Sequence, residues 1–546
     1  MKIERVDELP VIVSVLERSG LADLVDRYFL THGNWTGESY GKILVCFLSY
    51  VLSSNDHRLS PVEEWFMGRE ETLRELLSSP NLSRTDVTDD RLGHLLSVLS
   101  DDNLWHKFEN DLNKSLISVH QLEVTEPIRL DASIAQSFQK PDELFKMGHS
   151  KQHRMDLPQL KIMLGVIDPL AMPLLSIIVE GNTADDILYE PLERQIADNL
   201  EAQGLLFVGD SKMSGVKNRE YLQSSGHYYL CPMSEVQCPK KELKRYLELE
   251  KERESLWTEK GELRAKVFET EEVVSEKESG TKWLERRIVV YSPQYGKSQR
   301  EKFEGRLEKA KQELEKLLQA KQGKKRLQGR AEVEVKVEEI LKKHRVKECL
   351  EVKIEELEAG KKCELKVEEK AEAIKEAQEI MGWRVYASNA PREKMSMMKA
   401  IECYRKEYRI EAKFNELLNK VTALMPIFLQ KNERIRALVK VLLLGIKFTS
   451  IIQHQVREKL KKAKESVNQV YPGNPKRETT EPTIGMILRA FREITLVKME
   501  ENGVIIRKIS KLKPIQLKLL ELMGLKSDIY ESLDQISFSS QRFSET

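Results

Sequence analysis

Three carboxylates stand where they could hold divalent metal. Asp131 closes the run Ile128-Arg129-Leu130-Asp131, and Asp210 closes Leu205-Leu206-Phe207-Val208-Gly209-Asp210. Far downstream, Glu411 follows Tyr404, Arg405, Tyr408, Arg409 and Ile410 in a segment of helical spacing. Acids delivered by two strand ends and one helix suit a two-metal site that cuts phosphodiesters, with cations roughly 3.5–4 Å apart and acidic ligands around them. Neighbouring strands lie about 4.8 Å apart, so two strand-borne aspartates can reach one metal pair. A carboxylate ending a buried strand carries a desolvation penalty that a cation relieves. Each acid has a plainer reading too. Asp131 and Asp210 could cap the turns that follow them, and Glu411 could be an exposed glutamate paired with Arg405 or Lys413. Placed together on adjoining strands, the aspartates favour metal.

A basic loop, Lys146 to Arg154, lies close in sequence to Asp131. Its Lys151, His153 and Arg154 could hold a DNA phosphate or its leaving group; a mobile, solvated loop is the equal alternative. No P-loop, nucleophile elbow or paired His/Cys set is present, so nucleotide hydrolysis and covalent serine chemistry have no support.

The elements that must position these groups follow from pattern. Residues 1–125 read as an all-α domain, with Leu9, Val11, Ile12, Val15 and Leu16 starting the first helix. Residues 126–238 read as strand (about 127–134), hairpin (Gln159–Ile167 and Pro173–Glu180, joined at Asp168-Pro169), helix (184–200), strand (205–208), short helix and strand (228–231). That β-β-β-α-β-α-β order matches the first part of a ribonuclease-H-like core, an α/β fold. Residues 239–381 are dominated by Glu, Lys, Leu, Arg and Ala and read as long, charged, coiled-coil-like helices. Residues 382–465 return to the core with a strand at 382–388, a helix at 392–420 carrying Glu411, and a long helix at 432–464. Residues 466–546 read as a linker and a small α/β tail.

Charge is uneven along the 546 residues despite a formal net charge of +1. Residues 1–130 hold 22 Asp/Glu against 13 Lys/Arg, and residues 381–546 hold 31 Lys/Arg against 18 Asp/Glu. Such a division suits a protein offering part of its surface to a polyanion, although solvated helix faces would produce it as well. The six cysteines form no CxxC pair, which argues against a disulfide framework or zinc site and fits a reducing cytosol. No signal-peptide core is present, and the longest apolar stretch, Ile43 to Leu52, is too short to span a bilayer.

Several stretches, in order, resemble the DDE transposases of bacterial insertion sequences, in the branch with a tyrosine–arginine–glutamate–lysine signature around the third acid. They are Leu130-Asp131-Ala132-Ser133, Gly148 to Leu157, Glu180-Gly181-Asn182-Thr183-Ala184-Asp185, Val208-Gly209-Asp210-Ser211-Lys212-Met213, Gly382-Trp383-Arg384-Val385 and Tyr404 to Glu411. The resemblance implies a ribonuclease-H-like core, interrupted between the second Asp and the Glu by an insertion, here 239–381. It implies two Mg²⁺ or Mn²⁺ ions held by Asp131, Asp210 and Glu411. The signature departs at Glu407, where the family expects arginine, and at Leu418, where it expects lysine. Tyr404, Arg405, Arg409 and Lys413 join Lys151, His153 and Arg154 as candidate DNA-binding residues. The implied protein is a cytoplasmic, nucleoid-associated bacterial transposase that cuts the terminal inverted repeats of its element and transfers the 3′-hydroxyl ends into target DNA. It would act on double-stranded DNA as a homodimer in the synaptic complex, its N-terminal domain gripping the element ends. The alternatives are a catalytically inactive transposase that binds DNA by sequence, and a scaffold built on the 239–381 helices.

Overall fold

The computed structural model describes residues 1–122, 127–148, 154–249, 251–258, 260–319, 327, 329–357, 362–501 and 504–538. The chain opens with strand β1 (Lys2–Arg5) and helices α1 (Leu9–Arg18), α2 (Leu21–Tyr28), α3 (Tyr40–Ser54), α4 (Val62–Met67), α5 (Glu70–Leu76), α6 (Asp89–Val98) and α7 (Asp102–Val119). It continues through β2 (Ile128–Gln136), β3 (Gln159–Ile167), β4 (Met172–Glu180), α8 (Tyr189–Leu200), β5 (Leu206–Gly209), α9 (Val216–Ser224) and β6 (Tyr228–Pro232). Next come α10 (Lys240–Leu247), β7 (Glu254–Trp257), β8 (Leu263–Ser275), β9 (Lys282–Tyr291), α11 (Pro293–Glu315), α12 (Arg330–His344), β10 (Leu350–Leu357), β11 (Lys362–Glu369), α13 (Ala371–Glu379) and β12 (Trp383–Ser388). The chain closes with α14 (Met397–Arg405), α15 (Tyr408–Asn415), α16 (Asn432–Ala463), α17 (Ile484–Arg489), β13 (Thr495–Glu501), β14 (Val504–Ile509), α18 (Pro514–Met523), α19 (Asp528–Glu531) and β15 (Gln535–Phe538).

These elements form two compact units: residues 1–213, 221–228 and 405–546 in the first, and residues 214–220 and 229–404 in the second. In the first unit, strands run in the order β4-β3-β2-β5, with β2, β3 and β4 antiparallel and β5 parallel to β2. The order of elements along the chain, β-β-β-α-β-α-β from β2 to β6, is the one read from sequence. β3 is almost continuously apolar and buried, as a strand covered on both faces must be, and β2 is buried except at Asp131 and Ser133. α8 lies on β3 and β4 through Leu192 and Ile196. α16 is buried nearly all round from Ile435 to Ile452, since β4, α3, α6 and α18 surround it. Ser39, Thr88 and Asp101 cap α3, α6 and α7, each side chain accepting from backbone N–H groups of the first turn. The same unit holds a second sheet, β1-β13-β14-β15.

The second unit has a sheet ordered β6-β12-β9-β8-β7. Tyr246 of α10 packs on it against Phe268, Val289 and Val385. A further core joins α11 and α12 (Phe303, Leu307, Leu314, Val333, Val337) to the β10–β11 hairpin.

Four expectations are corrected. Residues 239–381 are not a run of long charged helices, because 254–291 form three strands and 350–369 a hairpin. Glu and Lys alternate there with Val, Ile and Leu (Glu351, Val352, Lys353, Ile354), a period of two that charged composition disguises. Asp131 does not end its strand but stands fourth of nine residues in β2. The helix expected over 392–420 is divided at Lys406-Glu407, where Arg409 N–H bonds to Lys406 O and Ile410 N–H to Glu407 O. Residues 1–125 are not wholly α-helical, since β1 opens the chain and pairs with β13 of the C-terminal tail. Among the described residues, no helix is long and apolar enough to cross a membrane.

Candidate metal and nucleic-acid site

In β2 alternate residues face opposite sides of the sheet. Leu130 faces the α8 side: a Cβ built on its neighbour Gly165 would meet both Leu130 and Ile196. Arg129, Asp131 and Ser133 therefore project from the other side. The parallel register pairs Ile128 with Phe207, Arg129 with Val208 and Leu130 with Gly209, the last pair standing immediately before Asp131 and Asp210. Asp131 is the next residue of β2, and Asp210 is the first residue after β5; neighbouring strands are spaced about 4.8 Å apart. Both aspartates are half-buried.

Their oxygens are already oriented. Asp131 Oδ1 accepts from the N–H of Ala132 at 2.8 Å. Asp210 Oδ1 accepts from the Tyr189 hydroxyl at 2.7 Å and from Lys212 N–H at 2.8 Å. Tyr189 is 1% exposed. Burial holds its phenol well above the ordinary tyrosine range, and the charges of Asp210, Asp131 and Asp185 push the same way. One phenol therefore feels all three acids. Asp185 is in turn paired with Lys161, which also donates to Thr183 O.

α15 lies against β2. Its buried stripe is Ile410, Lys413 and Phe414, which leaves Arg409 and Glu411 on opposite flanks at about 100° per residue. Arg409 Nη1 lies 3.0 Å from Asp168 Oδ1, and Arg129 Nε and Nη2 donate to Asp168 Oδ2 at 3.0 and 2.7 Å. Since Arg129 projects from the same side of β2 as Asp131, the helix carrying Glu411 is tied to the face that carries the aspartates. Glu411 itself is exposed. Among the described residues, no group of three or more His, Cys, Asp or Glu gathers at metal-holding distance. Asp131 and Asp210 follow paired positions of β2 and β5, and Glu411 stands on α15, which contacts β2. Carboxylate oxygens are hard donors of the kind that suit a divalent cation.

The candidate DNA-binding residues divide. Lys151 and His153 lie outside the described residues. Arg154 is exposed and paired with Asp156 through two bonds of 2.8 Å. Arg405 is half-buried at the end of α14. Tyr404 is buried, its ring 4.7 Å from that of Tyr386. Lys413 is 3% exposed and bonded to Glu416 at 2.7 Å. Tyr404 and Lys413 are therefore both largely enclosed by the protein. Asp168 and Tyr189 were not singled out from sequence. Arg129 inside an apolar strand was the available signal, since a buried guanidinium requires an acid.

Among families of known proteins, the one described as "Transposase DDE domain" matches residues 130–444, an interval that opens beside Asp131 and contains Asp210 and Glu411. No curated protein matches the chain. Among solved structures, the chain is similar to a cryo-EM structure of piggyBac transposase synaptic complex with hairpin DNA. The two share 9% identity over 96% of this chain and 83% of that one, with a TM-score of 0.33, too loose a likeness to bear on chemistry. With more than half of its length matched by the family, this chain belongs to the DDE-domain transposases.

Proposed function

We propose that this protein is a metal-dependent DNA transposase. It would cleave at the terminal inverted repeats of an insertion sequence and join the freed 3′-hydroxyl ends to target DNA. The observation carrying this reading is the parallel register of β2 and β5, whose last pair, Leu130 with Gly209, stands immediately before Asp131 and Asp210, within the interval matched by the transposase DDE domain. Members of that family use divalent metal ions, and Asp131, Asp210 and Glu411 are the residues that would hold two of them, Mg²⁺ or Mn²⁺. Bound metal would activate the attacking water and stabilise the leaving 3′-oxygen. The protein's own part is to orient the ligands: Tyr189 and the Lys212 N–H fix Asp210, and the Ala132 N–H fixes Asp131. Glu411, exposed beside β2, would complete the set once DNA and metal are bound. Arg154 and Arg405 would contact phosphates of element ends and target, giving an affinity that falls steeply with salt. Synapsis of two ends would use a homodimer of this bacterial protein, in the nucleoid.

The decisive experiment incubates the protein with duplex DNA carrying the inverted repeat that flanks its gene, in Mn²⁺. Wild type should nick the end, and Asp131→Ala, Asp210→Ala and Glu411→Ala should not. Equal nicking by all four proteins would remove the assignment. Glu407 and Leu418, in place of the signature arginine and lysine, favour a second reading: a catalytically inactive transposase that binds DNA by sequence. It predicts end binding with no nicking by any of the four.

A further inference from the structure

We infer that Asp168 is a positioning residue, whose carboxylate ties the helix bearing Glu411 to the strand bearing Asp131; this rests on the function proposed above. Asp168 lies in the turn between β3 and β4, and its N–H donates to Pro127 O at 3.0 Å, which pins it beside the start of β2. It is 3% exposed, and Arg129 is 1% exposed. Charges so deeply buried persist only when paired, and removing one partner strands the other. Asp168 is shared between two guanidiniums, with Oδ2 taken by Arg129 at 3.0 and 2.7 Å and Oδ1 lying 3.0 Å from Arg409.

Each arginine precedes an acid by two residues. Along β2 that step keeps Arg129 and Asp131 on one face, about 6.6 Å apart. On α15 it turns through about 200°, placing Arg409 and Glu411 on opposite flanks of the buried stripe. Holding Arg409 at Asp168 therefore sets how far α15 is rotated over β2, and with it the direction in which Glu411 leaves the helix. The apolar contacts of Ile410 and Phe414 are non-directional and leave that rotation loose. A misplacement of about 1 Å can cost roughly 100-fold in rate, so a clamp of this kind acts on turnover without touching DNA. From sequence, Arg409 is a candidate phosphate ligand; at 22% side-chain exposure and facing Asp168, it is committed to the protein instead.

The test uses the full chain, Mn²⁺ and the duplex bearing the flanking inverted repeat. Asp168→Asn strands Arg129 and threatens folding, so the informative variants are Arg409→Gln and Arg409→Lys, with Glu411→Gln alongside. Arg409→Gln should lower the end-cleavage rate at least tenfold. The Kd for the duplex should stay within twofold, and its slope against salt should not change. Arg409→Lys should recover most of the rate. A loss below tenfold, or one that lysine does not recover, overturns the inference. A weakened Kd with a salt slope smaller by about one overturns it in favour of a phosphate contact. If Glu411→Gln abolishes cleavage while Arg409→Gln leaves it intact, this inference alone fails. If Glu411→Gln cuts like wild type, or wild type does not cut, the underlying functional reading fails and the inference with it.

Discussion

The hydroxyl of Tyr189 donates to Oδ1 of Asp210 at 2.7 Å, from a ring that is 1% exposed. A fixed donor on one carboxylate oxygen sets the rotation of the whole carboxylate and hence the direction of the other oxygen. With Asp210 as a metal ligand, as proposed above, Tyr189 is the kind of outer partner whose loss changes metal affinity or activity by about 10–100-fold. Tyr189→Phe keeps the ring and removes the donor. It should raise the Mn²⁺ concentration giving half-maximal end cleavage by about tenfold or more, on the scale of such outer partners. A titration superimposable on wild type would show that Tyr189 only fills space.

Lys447 is fully buried in α16, and its ammonium donates to Asn113 Oδ1 at 2.6 Å and to Glu109 Oε1 and Leu174 O at 3.2 Å. Asn113 in turn donates to Leu174 O and to Asn199 Oδ1, both at 3.0 Å, so the network joins α7, β4, α8 and α16. Lys447→Met leaves the Glu109 carboxylate buried without its cation and should cost about 3–5 kcal/mol in urea unfolding. Lys447→Met combined with Glu109→Gln should recover part of that, because no charge is then stranded. Additive losses in the double variant would contradict a coupled pair.

The core around the candidate site was legible because its strands are apolar, of ordinary length and bounded by turn residues such as Asp168-Pro169. Reading β2 and β5 as neighbours was enough to anticipate their pairing, which runs to Leu130 and Gly209. The strands of residues 254–291 and 350–369 were not legible, because half-exposed strands carry charge on alternate residues and composition alone then resembles a solvated helix. Lys353 and Glu368, exposed across the β10–β11 hairpin, are bonded at 3.0 Å, a cross-strand pair rather than a helical one. β1 is four residues long, too short to display a period, and its partner β13 lies at the other end of the chain. Arg409 was read as a DNA ligand for a related reason: nothing local announces that its partner, Asp168, sits in a distant turn.

Gly41 lies where α3 meets α2. A Cβ at this position would stand 2.7 Å from both Cα and C of Ala22, and the Gly41 N–H donates to Asp26 Oδ1 at 2.7 Å. Backbone cannot yield as a flexible side chain can, so Gly41→Ala must push the helices apart or lose that bond. The expected penalty is about 1–3 kcal/mol, the usual range for overpacking. Thermal unfolding gives the answer directly, and a variant as stable as wild type would mean that α2 shifts freely.

Glu8 provides a pH dependence whose sign can be stated. It is 3% exposed, and its Oε2 has no hydrogen-bond partner among the described residues. Burial, with Asp7 adding to it, pushes its carboxyl from 4.5 up to about 7. The folded state therefore holds a proton that the unfolded chain releases first. Stability from this group is complete below the unfolded value and is lost as pH rises through the folded one. At about 1.4 kcal/mol per unit, a shift from 4.5 to about 7 amounts to roughly 3 kcal/mol between pH 4.5 and 8. Glu8→Gln keeps the shape and cannot ionise, so its stability relative to wild type should climb by about that amount across the same interval. Denaturant unfolding at several pH values measures the difference directly. Parallel curves for the two proteins would mean that Glu8 is ionised in the folded state.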